Sequence, residues 1–390
     1  MLVSIHIHDK DFNVYDTHMK EALLSFNRRL GECAVKYKNM IDQYFAKRNC
    51  WDQVKKFSND YEFIFTSLQK YPCVAKIAPS SRSYFKLWEI LKEYDGIGLL
   101  RGEGEGRGSI KTAHVAEGPG GFMECILDWT AKHAPDTPTE AHGITLISRD
   151  RMVPNWKISK NRMAKGNVTL HYGADGTGDI YKLSNIEHFV ENVGEGSCDL
   201  ITADGGFDIH GNFNHQENII ERLLISEMYT AMRVCKPGGS FVLKVFDLFE
   251  ESTIQLFWIL KLAFREVHLL KPLSSRPANS EKYVVACDYR GHPESMQMLE
   301  RYIVNNGEVP FQLDIPSDFI LELSSYNKQY CFRQMYYICK TIAFIEIIYN
   351  QKQKEFLDNI IYKQYKLCKE WCLWHDIPYQ SNTELENKTV

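Results

Sequence analysis

Four stretches of this 390-residue chain carry side chains able to do chemistry. The first is Glu117-Gly118-Pro119-Gly120-Gly121-Phe122, set between a short apolar run (Ala113, Val115, Ala116) and a segment of helical period (Phe122, Cys125, Ile126, Trp129). A strand, a glycine turn and a helix make the ligand-binding corner of an open α/β sheet, where glycines let the backbone approach a bound molecule. The spacing excludes two ligand classes. Counted from Gly118, the third glycine of a dinucleotide fingerprint would fall at Met123, and no Gly-Lys-Ser/Thr follows to cradle a triphosphate. An acid followed by glycines at such a corner suits a zwitterion such as S-adenosylmethionine.

The other three stretches are predicted to end at the same edge of the sheet. Ile201-Thr202-Ala203-Asp204-Gly205-Gly206 leaves Asp204 at a strand's carboxyl end. Val242-Leu243-Lys244-Val245-Phe246 puts a lysine among strand apolars, and Ser275-Arg276-Pro277-Ala278-Asn279-Ser280-Glu281 is a polar turn feeding a further strand. Each has a plainer reading: Asp204 as a cap, Lys244 snorkelling from a strand end, Glu281 pairing with Arg276. Lys244 is the hardest to dismiss, because an unpaired buried ammonium costs several kcal/mol. Partners at Asp204 and Glu281 would relieve that cost.

These residues need a scaffold. Strands are predicted at 112–116, 143–147, 168–172, 199–203, 239–246, 266–270 and 282–288, alternating with helices at 121–133, 180–192, 215–234 and 252–264. That alternation predicts an α/β class fold: a mostly parallel, doubly wound, seven-stranded Rossmann-like sheet. It occupies 110–290, after a mainly helical segment (1–109) and before a helical one (291–390). Helices are expected at about 16–50, 60–70 and 80–94, then at 294–305, 317–348 and 352–375, with an edge strand or arm before residue 15. The glycine-rich run Arg101–Gly108 is expected as a connector.

Composition sets outer limits. With 44% hydrophobic and 25% charged residues the chain is globular with ample core, and a net charge of -4 leaves any nucleic-acid site to a local patch. Eleven unpaired-looking cysteines imply reduced thiols in an intracellular compartment. Cys368, Cys372 and His375 share a helix face with Trp371, which favours core over zinc. Neither a signal peptide nor a membrane span is expected.

Ser81-Arg82-Ser83-Tyr84-Phe85-Lys86-Leu87, EGPGGF, TADGG, LKVFD and SRPANSEKYVV follow one another in an order that resembles the FtsJ-like ribose 2'-O-methyltransferases. The Ser-Arg-Pro-Ala-Asn-Ser-Glu run is most similar to the branch, in eukaryotes and large DNA viruses, that methylates the first nucleotides of capped mRNA. The resemblance spans about residues 60–290. It implies a catalytic tetrad at Lys86, Asp204, Lys244 and Glu281, with Lys244 as the base. It implies S-adenosyl-L-methionine held by Glu117, Gly118, Pro119, Gly120, Gly121, Phe122 and Asp204, with Asp179 at the adenine. The family's ribose-binding acid is missing after the second strand, where Asp150 stands several residues late. The expected chemistry needs no metal.

The implied partner is RNA, at a capped mRNA 5' end, with capping or transcription factors as further candidates. Arg276 and Asn279 would hold the reacting nucleotide, with Arg82 a further RNA-binding residue, while Arg149 and Trp156 belong to a basic stretch that also includes Arg151, Lys157, Lys160, Arg162 and Lys165. The plainer reading of that stretch is a solvated loop, as it is a helix cap for Asp179. Phe207–Gln216, rich in His and Asn, could wall the substrate. Alternatives are a ribosomal- or transfer-RNA enzyme and an inactive RNA-binding scaffold. A host enzyme would be nuclear, a viral one cytoplasmic.

Overall fold

The computed structural model describes residues 5–7, 17–46, 50–68, 71–98, 108–150, 153–206, 216–307, 313–350 and 354–380. Most of the Arg101–Gly108 connector, Arg151 and Phe207–His215 lie outside them. In chain order the elements are β1 (Ile5–Ile7), α1 (Thr17–Ala46), α2 (Cys50–Val54), α3 (Ser83–Glu93), β2 (Ile110–Val115), α4 (Gly121–His133), β3 (Thr139–Ile144), α5 (Lys160–Met163) and β4 (Asn167–His171). There follow α6 (Leu183–Val193), β5 (Cys198–Ala203), α7 (Gln216–Val234), β6 (Cys235–Val245), α8 (Glu251–Ala263), β7 (Phe264–Leu270), β8 (Lys282–Tyr289), α9 (Pro293–Val304), α10 (Ser317–Asn350) and α11 (Lys354–Trp374). Two compact units interleave along the chain: Met1–Gly31, Pro79–Pro272 and Glu281–Asn327 form one, Glu32–Ala78, Leu273–Ser280 and Lys328–Val390 the other.

The first unit holds the sheet, ordered β1-β7-β8-β6-β5-β2-β3-β4. All seven expected strands are present, and β1 adds an eighth, antiparallel to β7. From β6 to β4 every pairing is parallel, while β8 runs antiparallel between β6 and β7. The parallel strands are apolar along most of their length: β5 is buried at every position, and Ala113, Val115, Phe241, Val242 and Leu243 are each at most 1% exposed. The order reverses at β2, with β3 on one side and β5 on the other, which opens a crevice at their carboxyl ends.

Strand β3 differs from its expected span of 143–147. The expectation followed the apolar run Ile144–Ile147, but pairing with β2 sets Thr139 opposite Ile110 and ends with Ile144 opposite Val115. Leu146 therefore lies beyond the sheet, 41% exposed. The strand's polar residues satisfy each other instead: His142 Nε2 lies 2.7 Å from Glu140 Oε1, and its Nδ1 lies 3.0 Å from His171 Nε2 on β4.

The second unit has its own core, in which Ile41, Trp51 and Val54 pack with Ile338 and Ile345 of α10. Cys368 and Cys372 of α11 are fully buried, and His375 stacks on Trp371 at 4.0 Å, as the helix-face reading expects. The helix expected over 60–70 is instead one 3-10 turn, Glu62–Ile64. The chain wraps there around a buried carboxylate: Glu62 accepts from Asn59 Nδ2 (2.8 Å) and Thr66 Oγ1 (2.7 Å). Helix α10 runs unbroken, and no helix among the described residues is long and apolar enough to cross a membrane.

Candidate active site

At the end of β2 the chain turns through Glu117–Gly120 into α4. Gly120 has φ of +110°, a conformation that L side chains rarely adopt. Gly118 is needed for closeness: a Cβ there would stand 1.9 Å from the Pro154 carbonyl oxygen. Residues 154–158 are thus pressed onto the corner, with the Lys157 N–H donating to the Pro119 carbonyl at 2.9 Å. Thr145, just past β3, ties two loops to one spot. Its hydroxyl accepts from the Gly118 N–H at 3.2 Å, and Gly178 sits so close that a Cβ would lie 2.0 Å from its carbonyl oxygen. Asp179 is thereby brought beside the glycine corner, its Oδ1 accepting from the Tyr181 N–H at 3.0 Å.

Glu117 does not face the crevice. Its side chain is wholly buried, bonded to the Thr202 hydroxyl and 3.2 Å from His114 Nδ1. Burial raises its pKa, opposed by His114 and Thr202. The acid expected among the residues that hold the cofactor instead braces the corner from beneath.

The four tetrad positions converge in the first unit. Lys86 arrives on α3, whose start packs against that of α4; a Cβ on Gly121 would lie 2.2 Å from the hydroxyls of Ser81 and Ser83. Its Nζ is 2.7 and 2.8 Å from the two oxygens of Glu281, the residue before β8. Lys244, one residue before the end of β6, donates to the Asp204 carbonyl at 2.6 Å and lies 3.3 Å from Asp204 Oδ1. Tyr283 pairs with Lys244 across the ladder and donates to Asp204 Oδ1 at 3.1 Å. The antiparallel run of β8 explains the meeting, since its first residues share an edge with the last residues of β6.

The charges settle one another. Burial pushes the Lys244 pKa down, but Asp204, Glu281 and Glu227 outweigh it, so the net shift is upward. For Glu281 burial pushes up and is overcome by Lys86, Lys244 and Lys271, which leave its carboxyl far below the usual carboxylate range. Motif reading missed Tyr283, Lys271 and Glu227. The alternation of β8 could have flagged Tyr283, which shares a face with Glu281; a glutamate inside helix α7 gives no such signal.

The RNA candidates separate. Arg82 stands at the start of α3, one turn before Lys86. Arg149 and Asp150 are exposed beyond β3. Trp156 is half-buried, packing against Met123, Leu127 and Ala141 with its ring edge over Gly143, which leaves it poorly disposed to stack on a base. Arg162 and Lys165 are taken up by acids of α4: Arg162 Nε is 3.1 Å from Asp128, and Lys165 Nζ 2.8 Å. In the second unit Arg276 is bonded through Nε (3.0 Å) and Nη2 (2.8 Å) to Glu62, not to Glu281 as the plainer reading had it. Asn279 is exposed on the same turn, its N–H donating to the Arg276 carbonyl at 3.2 Å.

The donor set fits a zwitterion. The first N–H groups of α4 have no intrahelical acceptor and suit a carboxylate, while Asp204 and Asp179 suit cationic or hydroxyl groups. Comparison with known proteins agrees. The FtsJ-like methyltransferase model matches residues 79–289. A mouse cap-specific mRNA (nucleoside-2'-O-)-methyltransferase 2 is 30% identical over 304 residues, covering 73% of this chain and 36% of the mouse protein. A cap-specific mRNA (nucleoside-2'-O-)-methyltransferase 1 of Trypanosoma cruzi is 31% identical over 215 residues, 55% of this chain and 58% of that protein. The chain thus spans little more than a third of the length of the mouse relative. With more than half of its residues matched, among them all four that meet at the sheet edge, the chain belongs to the FtsJ-like methyltransferase family.

Proposed function

We propose that this protein is an S-adenosylmethionine-dependent RNA ribose 2'-O-methyltransferase acting on the first transcribed nucleotides of capped mRNA. The observation that carries the chemistry is the pair of ion pairs Lys86–Glu281 and Lys244–Asp204 beside a glycine corner suited to a zwitterion. The capped substrate is supported by the names of the relatives.

S-adenosylmethionine, when bound, supplies an electrophilic methyl group on a sulfonium. A ribose hydroxyl is a weak nucleophile, so the protein's task is to align it and remove its proton. Helix α4's N-terminus and Asp204 would orient the methyl donor. Lys244 Nζ receives the hydroxyl proton, and Asp204 fixes that nitrogen by two contacts. Glu281 holds Lys86 and adds to the field on Lys244. The carboxylates that position Lys244 also keep it charged, so the rate is set by the fraction of neutral amine.

The test is Lys244→Ala with a short capped RNA, followed by mass spectrometry of the product and by equilibrium binding of S-adenosylmethionine. Methyl transfer is expected to fall by roughly 10²–10⁴-fold while the cofactor still binds. Residual turnover within about tenfold of the parent would remove Lys244 from this role. Equal incorporation into uncapped RNA of the same sequence would sink the capped substrate.

A further inference from the structure

Beneath the tetrad lies a carboxyl group that the mechanism does not use. Glu227, on α7, is 0% exposed and wholly enclosed. Its Oε1 accepts the Gly205 N–H at 3.1 Å, and its Oε2 has no hydrogen-bond partner among the described residues. The Gly205 nitrogen belongs to the same peptide group as the Asp204 carbonyl, and that carbonyl receives the Lys244 ammonium at 2.6 Å. One peptide unit is therefore gripped at both ends, by Glu227 on its N–H and by Lys244 on its oxygen. The fit is tight: a Cβ on Gly205 would lie 2.2 Å from Glu227 Oε1, and one on Gly206 would lie 3.1 Å from Lys244 Nζ.

We propose that Glu227 is a positioning residue for methyl transfer, holding the Asp204–Gly205 peptide so that its carbonyl fixes the nitrogen of Lys244. The inference rests on the functional reading above. On its Gly205 side this peptide has no side chain to lock it, and without an acceptor for its N–H it is freer to rotate, taking the Lys244 anchor with it. The charged and titratable groups facing Glu227 are Lys244 from β6, Asp204 from the end of β5, Glu117 from the end of β2 and Tyr181 before α6. Burial outweighs the pull of Lys244 and raises the Glu227 pKa well above the usual range. Glutamine, of the same shape and equally able to accept the N–H, is the conservative replacement.

The experiment compares Glu227→Gln and Glu227→Leu in the full chain, reading kcat, KM and the pH profile on capped RNA. Leucine is expected to lower kcat by about 10- to 100-fold with KM for cofactor and RNA unchanged, as a small misplacement of a reacting group does. Glutamine is expected to restore kcat. Unchanged kcat in the leucine variant, or equal damage in both, would overturn the proposal. A second measurement does not depend on activity or on the leucine variant folding. Labelling aspartate at the carbonyl carbon and glycine at nitrogen selects only the Asp-Gly pairs, whose amides are Gly96, Gly176 and Gly205. In the unmodified protein the Gly205 amide should exchange far more slowly than that of exposed Gly176; equally fast exchange would overturn the clamp. Absence of methyl transfer by the unmodified protein would instead sink the functional reading, with the exchange result still deciding the clamp.

Discussion

Replacing Arg276 by alanine should unfold the protein more easily before it weakens RNA binding. The guanidinium sits 30% exposed over a Glu62 carboxylate that is 0% exposed. That carboxylate accepts four hydrogen bonds, two from Arg276 and one each from Asn59 and Thr66. In Arg276→Ala it keeps two neutral donors and loses its only charged one among these four. Breaking a buried pair from one side costs about 3–5 kcal/mol, and the partial exposure of the arginine places this case near about 3. Glu62→Gln retains an acceptor for Thr66 and a neutral partner for Asn59, so the double variant should recover at least about 1.5 kcal/mol of the summed single losses. Urea unfolding followed by tryptophan fluorescence measures the cycle; Trp51 and Trp371 report from the same unit. If Arg276→Ala costs less than about 1 kcal/mol, and capped-RNA affinity drops at the same time, Arg276 is a nucleotide contact and the structural reasoning fails.

Three shorter predictions follow from the same geometry. Because burial lowers the Lys244 pKa less than Asp204, Glu281 and Glu227 raise it, the amine is mostly protonated at neutral pH, and single-turnover rates should rise about tenfold per pH unit from 7 to 9; a flat profile would exclude it as the base. His171, buried beside His142, has its pKa pushed down to about 4 by burial and by that neighbour. The unfolded chain then binds the proton more readily, so stability present at pH 8 is lost as pH falls from 6.5 towards 4, by about 2 kcal/mol at pH 5; equal urea midpoints of His171→Gln and its parent at pH 5 and 8, relative to each other, would refute it. Trp156→Ala should cost about 2–3 kcal/mol of stability through lost packing against Met123 and Leu127, measured by thermal unfolding, and a purely RNA-binding defect would contradict that.

Much of the site was legible because its chemistry forces rare residue types into ordered places. Glycines at a strand-to-helix corner, a lysine inside an apolar strand and an acid at a strand end each break the local pattern. What stayed hidden depends on partners distant in sequence. Arg276 and Trp156 look the same in a sequence whether they meet RNA or the protein itself; Glu62, which claims Arg276, stands 214 residues away. Glu227 was equally silent, since a glutamate at a helical position is ordinarily solvated. The offset of β3 had a different cause: pairing with β2 decided the strand's limits, and its buried His142 found partners in Glu140 and in His171 of β4 where the apolar pattern placed no strand.

The lysine–glutamate contact at the sheet edge joins residues 195 positions apart. On a ribosome adding about 5–20 residues per second, Lys86 emerges roughly 10–40 s before Glu281. Until β8 inserts between β6 and β7, the first lysine lacks the counter-charge of Glu281 and the second lacks one of the carboxylates that raise its pKa. Closing that loop comes late for topological reasons, because insertion of a central antiparallel strand requires both neighbours to be in place. The Lys86–Glu281 pair is therefore completed only once β8 has been made, and a fragment ending before Glu281 would lack it.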